Sequence, residues 1–269
     1  MTEKKAFKRL LLTGAAGNLG RVLRPRLRAH CEVLRLSDLG SLGAAEAGEE
    51  CQSADLADKA AVHALLAGVD AVLHFGGVST EYAFETVLPA NIVGVFHLYE
   101  AARLQGVRRI IFASSNHVTG HHEQGHVITP QDAVRPDGYY GVSKAFGENM
   151  AQFYWDRHGI ETVSLRIGSC GPEPTDRRGL STWLSFDDLE RLVVAALNAK
   201  DVGHSIVYGA SANRDLWWDN TGSAVDYRPQ DSAEPWRERI EQSQPARDPV
   251  NKPEDRAQGG GYVLLGPFD

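Results

Sequence analysis

Several features of secreted, membrane-bound or metal-binding proteins are missing from this sequence. Its 269 residues include only three cysteines, Cys31, Cys51 and Cys170, with no C-x-x-C pair and no histidine spacing of a zinc site. An odd, widely separated set of cysteines predicts reduced thiols rather than a disulfide framework or a bound metal. We therefore expect a cytoplasmic protein without a metal site.

Long apolar runs and an excess of basic residues are missing as well. Only three leucines follow the basic N-terminal residues, far short of a signal peptide, and no later run approaches the ~20 residues of a membrane span. The formal net charge of −7 opposes binding to nucleic acid. With 42% hydrophobic and 23% charged residues, the composition is that of an ordinary globular protein without membrane or nucleic-acid partners.

A short strand followed by a glycine-rich turn is the first informative feature that the sequence does contain. Leu10-Leu11-Leu12 predicts a buried parallel strand, and Gly14, Gly17 and Gly20 follow at every third position. In such turns the first glycine permits the tight turn and the second lets backbone N–H groups approach a pyrophosphate. The third lets the next helix pack close to the strand. The turn predicts a dinucleotide site; a glycine-rich turn that binds nothing is the alternative.

The next apolar segment bears on the choice of dinucleotide. It ends at Asp38, 18 residues after Gly20. An acid about 20 residues beyond the turn accepts hydrogen bonds from the adenosine ribose and repels a 2′-phosphate. Arg35 is the one nearby residue that favours NADP. We expect NAD as the cofactor.

Strand-like and helix-like segments alternate along the chain, which predicts an α/β Rossmann fold, a doubly wound parallel sheet covered on both faces. Strands are predicted at residues 9–13, 32–37, 50–53, 71–75, 109–114, 161–166 and 205–209. Helices are predicted at 19–29, 59–66, 84–104, 139–158 and 186–198, the last opening with a capping box at Ser185. Pro25 and Pro89 fall inside predicted helices, and we expect Pro89 near a first turn or at a bend.

The character of the sequence changes after residue 210. Trp217 and Trp218, scattered prolines and three consecutive glycines from Gly259 make the C-terminal part polar and irregular, with one helix predicted near 236–240. We expect a single domain, in which residues 1–210 bind NAD and carry the catalytic residues. Residues 211–269 are expected to form a small C-terminal extension that covers the substrate pocket.

Tyr140 and Lys144 lie four residues apart on a predicted helix and therefore project from one face. The phenol has an ordinary pKa near ~10, and a nearby ammonium favours the phenolate. A phenolate can take a proton from a substrate hydroxyl while hydride leaves the same carbon for nicotinamide. A surface pair without function is the alternative. The preceding strand ends at Ser114 and Ser115, where open α/β sheets bind ligands, and Ser115 is the better candidate for holding the substrate oxygen.

Together, the glycine turn, Asp38, Ser115, Tyr140 and Lys144 resemble the short-chain dehydrogenase/reductase family, with the glycine spacing of its extended branch, over about residues 8–210. The resemblance implies catalytic roles for Tyr140, Lys144 and Ser115, and a water relay behind Lys144 that is supported by Asn91. It implies that the following residues bind the cofactor: Gly14, Gly17, Asn18, Leu19, Gly20, Asp38, Asp55, Leu56, Gly76, Gly77, Tyr140 and Lys144.

The remaining motifs, at residues 114–117, 166–170, 178–183, 209–213 and 217–220, resemble a branch of this family that oxidises C1 of a pyranose uronic acid with NAD. Its substrates are galacturonate and glucuronate, and its product is an aldarolactone. The resemblance implies that Arg178 holds the carboxylate and Tyr262 closes the pocket, although the adjacent Arg177 leaves the choice of arginine open. It implies that the sugar hydroxyls are held by Ser79, Ser115, Asn116, His117 and Ser169.

Two other functions stay open at this point, an epimerase or dehydratase that retains bound NAD and a non-catalytic dinucleotide sensor. Only 125 residues follow Lys144, which leaves little room for the nucleotide-binding domain of a nucleotide-sugar epimerase. A sensor has no need of a general base such as Tyr140. Relatives often dimerise through the helices predicted at 84–104 and 139–158, and we expect a homo-oligomer.

Overall fold

Seven parallel strands form the central sheet of the protein, whose computed structural model describes residues 5–266 and 268. The strands of the described chain are β1 (Phe7–Thr13), β2 (Cys31–Ser37), β3 (Glu49–Cys51), β4 (Ala71–His74), β5 (Arg109–Ser115), β6 (Glu161–Ile167), β7 (Ser169–Cys170), β8 (Trp183–Leu184) and β9 (His204–Gly209). β7 and β8 pair with each other in a separate sheet. The large sheet has the order β3-β2-β1-β4-β5-β6-β9, so the direction of winding reverses between β1 and β4.

Helices cover both faces of this sheet. Their bounds are α1 (Asn18–Leu27), α2 (Lys59–Leu65), α3 (Phe84–Val87), α4 (Gly94–Gln105), α5 (Tyr139–His158), α6 (Gly179–Thr182), α7 (Phe186–Asn198), α8 (Arg237–Ser243) and α9 (Pro253–Arg256). Side chains of α1 and α7 pack on one face, and those of α2, α4 and α5 pack on the other. The doubly wound Rossmann fold that the alternating segments predict is therefore confirmed.

The three leucines of β1 fix the position of this strand in the core. Leu10 and Leu12 pack among the side chains of α1 and α7, whereas Leu11 packs among those of α2 and α4. All three are fully buried, and each buried leucine contributes about 1.5–3 kcal/mol. Because β1 is anchored on both faces, the glycine turn that follows it has a fixed position at the reversal point, where open α/β sheets bind ligands.

The helix predictions are largely confirmed, with one interruption. α5 and α7 have the predicted bounds, and the Ser185 side chain accepts the N–H of Asp188 at 2.9 Å, as a capping box does. The helix predicted at 84–104 is instead broken by a π-helical turn, Leu88–Val93, between α3 and α4. Pro89 lies in this turn and explains the interruption, because a proline has no N–H to donate and its ring clashes with the preceding helical turn. Pro25 lies within α1 without ending it.

The chain after β9 is irregular apart from α8, α9 and short 3₁₀ turns. Trp218 stacks on Tyr208 of β9, with ring centroids 5.1 Å apart. Its indole N–H donates to the side chain of Gln258, whose amide also donates to two carbonyls in the loop before α5. The extension is thus tied to that loop, although the boundary at residue 210 stays a prediction. Within residues 5–266 and 268, no helix has both the length and the apolar character needed to cross a membrane.

Candidate active site

The glycine turn leaves the N-terminus of α1 open. Gly14 adopts a φ of 71°, and a Cβ there would lie 2.4 Å from the carbonyl oxygen of Phe75. A Cβ on Gly20 would lie 2.1 Å from the carbonyl oxygen of Gly14. The turn itself therefore requires both glycines. α1 begins after Gly17 without any side-chain cap, so its first N–H groups and the positive end of its dipole face the cavity described below.

Asp38 is held beside this turn at the end of β2. Its two carboxylate oxygens accept the N–H groups of Ala16, at 2.9 Å, and Gly40, at 2.8 Å. Arg35 does not reach it, because its guanidinium pairs with Glu50 at 2.8 Å and with two backbone carbonyls next to α2. Arg35, the residue that favours NADP, is thus bound to other groups, and within the described chain no cationic side chain lies within 4.0 Å of the Asp38 carboxylate.

Four of the predicted cofactor residues lie around the end of β4. Leu56 is buried, and a Cβ on Gly76 would lie 3.1 Å from its side chain, whereas Asp55 is exposed and accepts a local N–H. Gly77 has a φ of 128°, and a Cβ there would lie 2.5 Å from the side-chain oxygen of Asn91. Of these four residues, Gly77 lines a cavity at the carboxyl ends of the strands. The other three do not line this cavity, and neither does Asp38.

Asn91 sits in the π-helical turn and connects the loop after β4 to α5. Its oxygen accepts the N–H of Val78 at 2.8 Å, and its amide donates to the Val78 carbonyl at 2.9 Å and to the Ser143 hydroxyl at 3.0 Å. Both amide hydrogens are therefore used. Only the second lone pair of the oxygen is left for the water relay that the resemblance implies.

A cavity of about 430 Å³ opens at the carboxyl ends of the strands. The fold brings most of the predicted site residues to its wall, namely Gly14, Gly17, Asn18, Leu19, Gly20, Gly77, Ser79, Ser115, Asn116, His117, Tyr140, Lys144, Ser169, Arg178 and Tyr262. Residues from the glycine turn, from α5 and from the C-terminal extension thus face one space.

Tyr140 and Lys144 project together from α5, as their spacing predicts. The Lys144 ammonium lies 5.5 Å from the centre of the Tyr140 ring and 5.1 Å from that of Phe112. Burial lowers the pKa of Lys144 to about 8. Burial also raises the pKa of Tyr140, although the hydrogen bond from Ser115 acts in the opposite direction. In the free protein the phenol is therefore protonated at neutral pH, because burial outweighs this hydrogen bond, and the pKa of Tyr140 is raised instead of lowered.

His117 is held by a buried carboxylate that sequence reasoning missed. Its Nδ1 lies 2.7 Å from Oδ2 of Asp137, and its ring stacks on Tyr262 with centroids 3.7 Å apart. Burial lowers the pKa of His117, with Asp137 opposing this change. The imidazole is therefore neutral at neutral pH, donates Nδ1–H to Asp137 and keeps Nε2 as an acceptor. The position of Asp137, next to the glycine that precedes α5, was the only available signal.

Tyr262 reaches the cavity from the C-terminal extension. Its hydroxyl lies 2.8 Å from that of Thr80, in the loop after β4, a contact that the sequence did not suggest. A Cβ on Gly259 would lie 1.8 Å from Asp137. Gly260 adopts a φ of 61°, and a Cβ there would lie 2.6 Å from Arg178. The glycine run therefore lets the extension lie directly against the site.

Arg178 is a cation for which the described part of the chain supplies no carboxylate partner. It donates from Nε to the Gln258 carbonyl at 2.6 Å and from Nη1 to the Ser169 hydroxyl at 2.7 Å. With the Asn116 amide in the orientation that satisfies both of its ends, Nη2 donates to its oxygen at 2.6 Å. Within the described chain no carboxylate lies within 4.0 Å of this guanidinium, and burial lowers its pKa. Because a desolvated cation without a counter-charge is costly, the site favours an anionic ligand.

Arg177 points away from the cavity. Its guanidinium donates to the carbonyls of Glu241 and Gln244 at the end of α8, at 2.6 and 3.0 Å. Between the two adjacent arginines, only Arg178 lines the active-site cavity.

The reversal point, the open helix terminus and the tyrosine–lysine pair define a dinucleotide-dependent enzyme of the α/β class. Residues 10–185 match the NAD dependent epimerase/dehydratase family, and the chain belongs to that family. Within it, the chain is 57% identical to uronate dehydrogenase of Pseudomonas syringae pv. tomato (strain ATCC BAA-871 / DC3000), over 99% of this chain and 97% of that protein.

Solved structures agree with this relationship. The crystal structure of uronate dehydrogenase from Agrobacterium tumefaciens superposes with a TM-score of 0.94 at 50% identity, covering 98% of this chain and 99% of that one. A mutant of that enzyme complexed with NAD also gives a TM-score of 0.94, at 49% identity, covering 98% of this chain and 100% of that one. The family resemblance inferred from the sequence motifs is confirmed.

Proposed function

We propose that this protein is an NAD-dependent dehydrogenase that oxidises C1 of a pyranose uronic acid, galacturonate or glucuronate, to the aldarolactone. The observation that carries the proposal is the Arg178 guanidinium, which faces the cavity and pairs with no carboxylate of residues 5–266 and 268. It shares that cavity with Tyr140, Lys144 and Ser115, so that an acid group and a reacting hydroxyl can be held at the same time.

The residues at the sheet reversal fit an adenine dinucleotide. The uncapped N-terminus of α1 offers free N–H groups to a pyrophosphate. Asp38, anchored by two backbone N–H groups, has lone pairs left for ribose hydroxyls and repels a 2′-phosphate. NAD, when bound, supplies the acceptor for the hydride that leaves C1.

Residues of this chain remove the proton of the C1 hydroxyl. Ser115 holds the C1 oxygen. The Tyr140 phenol first gives up its own proton to solvent, and the resulting phenolate then takes the proton of the C1 hydroxyl as the carbonyl of the lactone forms. The pKa of Lys144 is about 8, so its amine is mostly in the charged ammonium form at neutral pH, and this charge stabilises the phenolate. Asn91 positions the loop after β4 against α5 through its three hydrogen bonds. The proton of the hydroxyl and the hydride of C1 thus leave separately.

Substrate binding is assigned on the same geometry. Arg178 holds the carboxylate with the donors that its three protein contacts leave free. His117 accepts a sugar hydroxyl at Nε2, because Asp137 occupies Nδ1. Tyr262 closes the cavity from the extension. The remaining sugar hydroxyls are held by Ser79, Ser115, Asn116 and Ser169.

The test is NADH formation, followed at 340 nm, with galacturonate, glucuronate and glucose in parallel. We expect one NADH for each uronate oxidised, and poor oxidation of glucose because it has no carboxylate for Arg178. Sugar conversion without net NADH, together with tightly co-purifying cofactor, would instead identify an epimerase or dehydratase. Absence of any turnover with cofactor bound would identify a sensor.

A cytoplasmic homo-oligomer is part of the same proposal. Exposed apolar side chains on α4 and α5, including Phe96, Leu104, Val142 and Phe153, provide a surface through which two copies can pack. The three cysteines of the sequence are free thiols in the structure, which suits a reducing compartment. Sedimentation of wild type and of Phe96→Glu, expected to dissociate, tests the assembly.

A further inference from the structure

A second cavity, of about 460 Å³, lies between α6 and the C-terminal extension, including α8. It shares no lining residue with the active-site cavity. Its size falls in the range of small-molecule sites, ~300–1,000 Å³. None of the functions assigned above makes use of it.

Three arginines line this cavity, and only one of them is neutralised. Arg237 pairs with the two lining acids, Asp215 at 2.8 Å and Glu241 at 3.1 Å. Arg177 and Arg247 have no carboxylate within 4.0 Å among residues 5–266 and 268. Their hydrogen bonds go to backbone carbonyls, including one of 3.1 Å from Arg247 to the carbonyl of Arg177, and the Arg247 guanidinium also lies over the Trp217 ring, 5.3 Å from its centre. The lining therefore carries three arginines and two acids, a net charge of +1, and within the described chain two of its guanidinium groups have no carboxylate in direct contact.

Two buried polar atoms at the same wall also have no partner. Ser181 is fully buried, and its hydroxyl oxygen makes no hydrogen bond to any described residue. Nε of Arg177 is likewise buried and has no hydrogen-bond partner among the described residues. Buried polar atoms are nearly always satisfied in folded proteins, so each of these points to a missing ligand. Both an N–H and an O–H can donate, so a ligand that satisfies both is an acceptor.

We propose that this cavity binds a small oxyanion, a phosphate or carboxylate group, held by Arg177, Arg247 and Ser181. Two guanidinium groups attract the negative charge, and the serine hydroxyl donates to one of its oxygens. Arg247 also holds the carbonyl of the residue directly before Arg178. Occupancy therefore steadies the backbone that carries Arg178 and strengthens uronate binding in the neighbouring cavity; this second effect rests on the proposed function.

Binding is tested without substrate, by calorimetry with inorganic phosphate and with malonate as separate probes. The Arg178→Ala variant is used as background, so that the active-site arginine cannot bind the probe. We expect one saturable site per chain for phosphate, malonate or both, and which probe binds more tightly identifies the source of the oxyanion. Absence of saturable binding of either probe would overturn the proposal.

Two further substitutions in that background locate the site. Arg247→Ala is expected to weaken binding at least ~10-fold, the effect of one charge-assisted hydrogen bond. Ser181→Ala, which removes an unpartnered hydroxyl, should weaken binding while leaving the thermal midpoint without probe unchanged or raised. Arg239→Ala is the matched control, because Arg239 is exposed on α8 and pairs with Glu173 at 3.2 Å. Equal affinity in the Arg247 and Arg239 variants would contradict the assignment.

The coupling is read from the KM for glucuronate with and without the better probe. A lower KM in the presence of probe is expected for wild type and Arg239→Ala, and not for Arg247→Ala. A probe that merely competes at Arg178 would raise KM in all three proteins, and that result would refute the coupling. Since binding is measured without sugar, a protein that oxidises no uronate can still pass or fail the binding test.

Discussion

Arg178 is the residue on which the choice of a uronic acid depends, and its removal gives the sharpest test. A guanidinium has five N–H groups. Three of them are engaged by Gln258, Ser169 and Asn116. Two donors are left for a ligand, which matches the two parallel hydrogen bonds that a carboxylate accepts from an arginine.

The magnitude follows from these two donors. Each charge-assisted hydrogen bond contributes about 1.5–3 kcal/mol, so the pair is worth about 3–6 kcal/mol at most. Part of this is offset by the cost of removing the carboxylate from water. We expect Arg178→Ala to lower kcat/KM for uronates by ~10²–10³, which corresponds to about 3–4 kcal/mol. Arg178→Lys should recover only part, because a lysine is a point charge without the planar fork.

The assay measures kcat/KM for glucuronate and for glucose with each variant, in a buffer free of phosphate and carboxylates. Because Arg178 also supports Ser169 and Asn116, we expect a small loss of kcat/KM with glucose. The contribution of the carboxylate is therefore measured by the loss of kcat/KM with glucuronate divided by the loss with glucose. Arg177→Ala is the adjacent control and should do much less, since Arg177 binds carbonyls at the end of α8. If Arg178→Ala depresses both sugars equally, the residue does not read the carboxylate and the uronate assignment loses its main physical support.

Three other substitutions test the remaining roles. Tyr140→Phe keeps the ring and removes the base, so kcat should fall by at least ~10² while the calorimetric Kd for NAD stays nearly unchanged; normal turnover would exclude Tyr140 from the mechanism. Asp38→Ala should weaken the binding of NAD and lower the ratio of kcat/KM with NAD to kcat/KM with NADP. An unchanged ratio would mean that other residues determine the cofactor selectivity. Asp137→Asn no longer fixes the tautomer of His117, so KM for glucuronate should rise by up to ~10-fold with a smaller change in kcat, the cost of one hydrogen bond between uncharged groups; an unchanged KM would refute the role of Asp137.

The sequence alone determined the features that depend on neighbours within a few residues. The glycine turn follows from backbone sterics at Gly14 and Gly20. The shared face of Tyr140 and Lys144 follows from the helical repeat, and the start of α7 follows from the Ser185 cap. Such interactions form wherever the local sequence permits them. The alternation of segments then leaves few ways to cover a parallel sheet, so the fold class could be predicted too.

Tertiary structure decided the contacts between distant parts of the chain. Whether Arg178 or Arg177 faces the cavity depends on where residues 80 positions later pass, since the Gln258 carbonyl holds Arg178. Tyr262 meets a loop 182 residues earlier, and burial of Tyr140 reversed the pKa shift that its lysine neighbour suggested. No local pattern encodes these outcomes, because they arise from how an irregular extension packs over the sheet and removes water from the site.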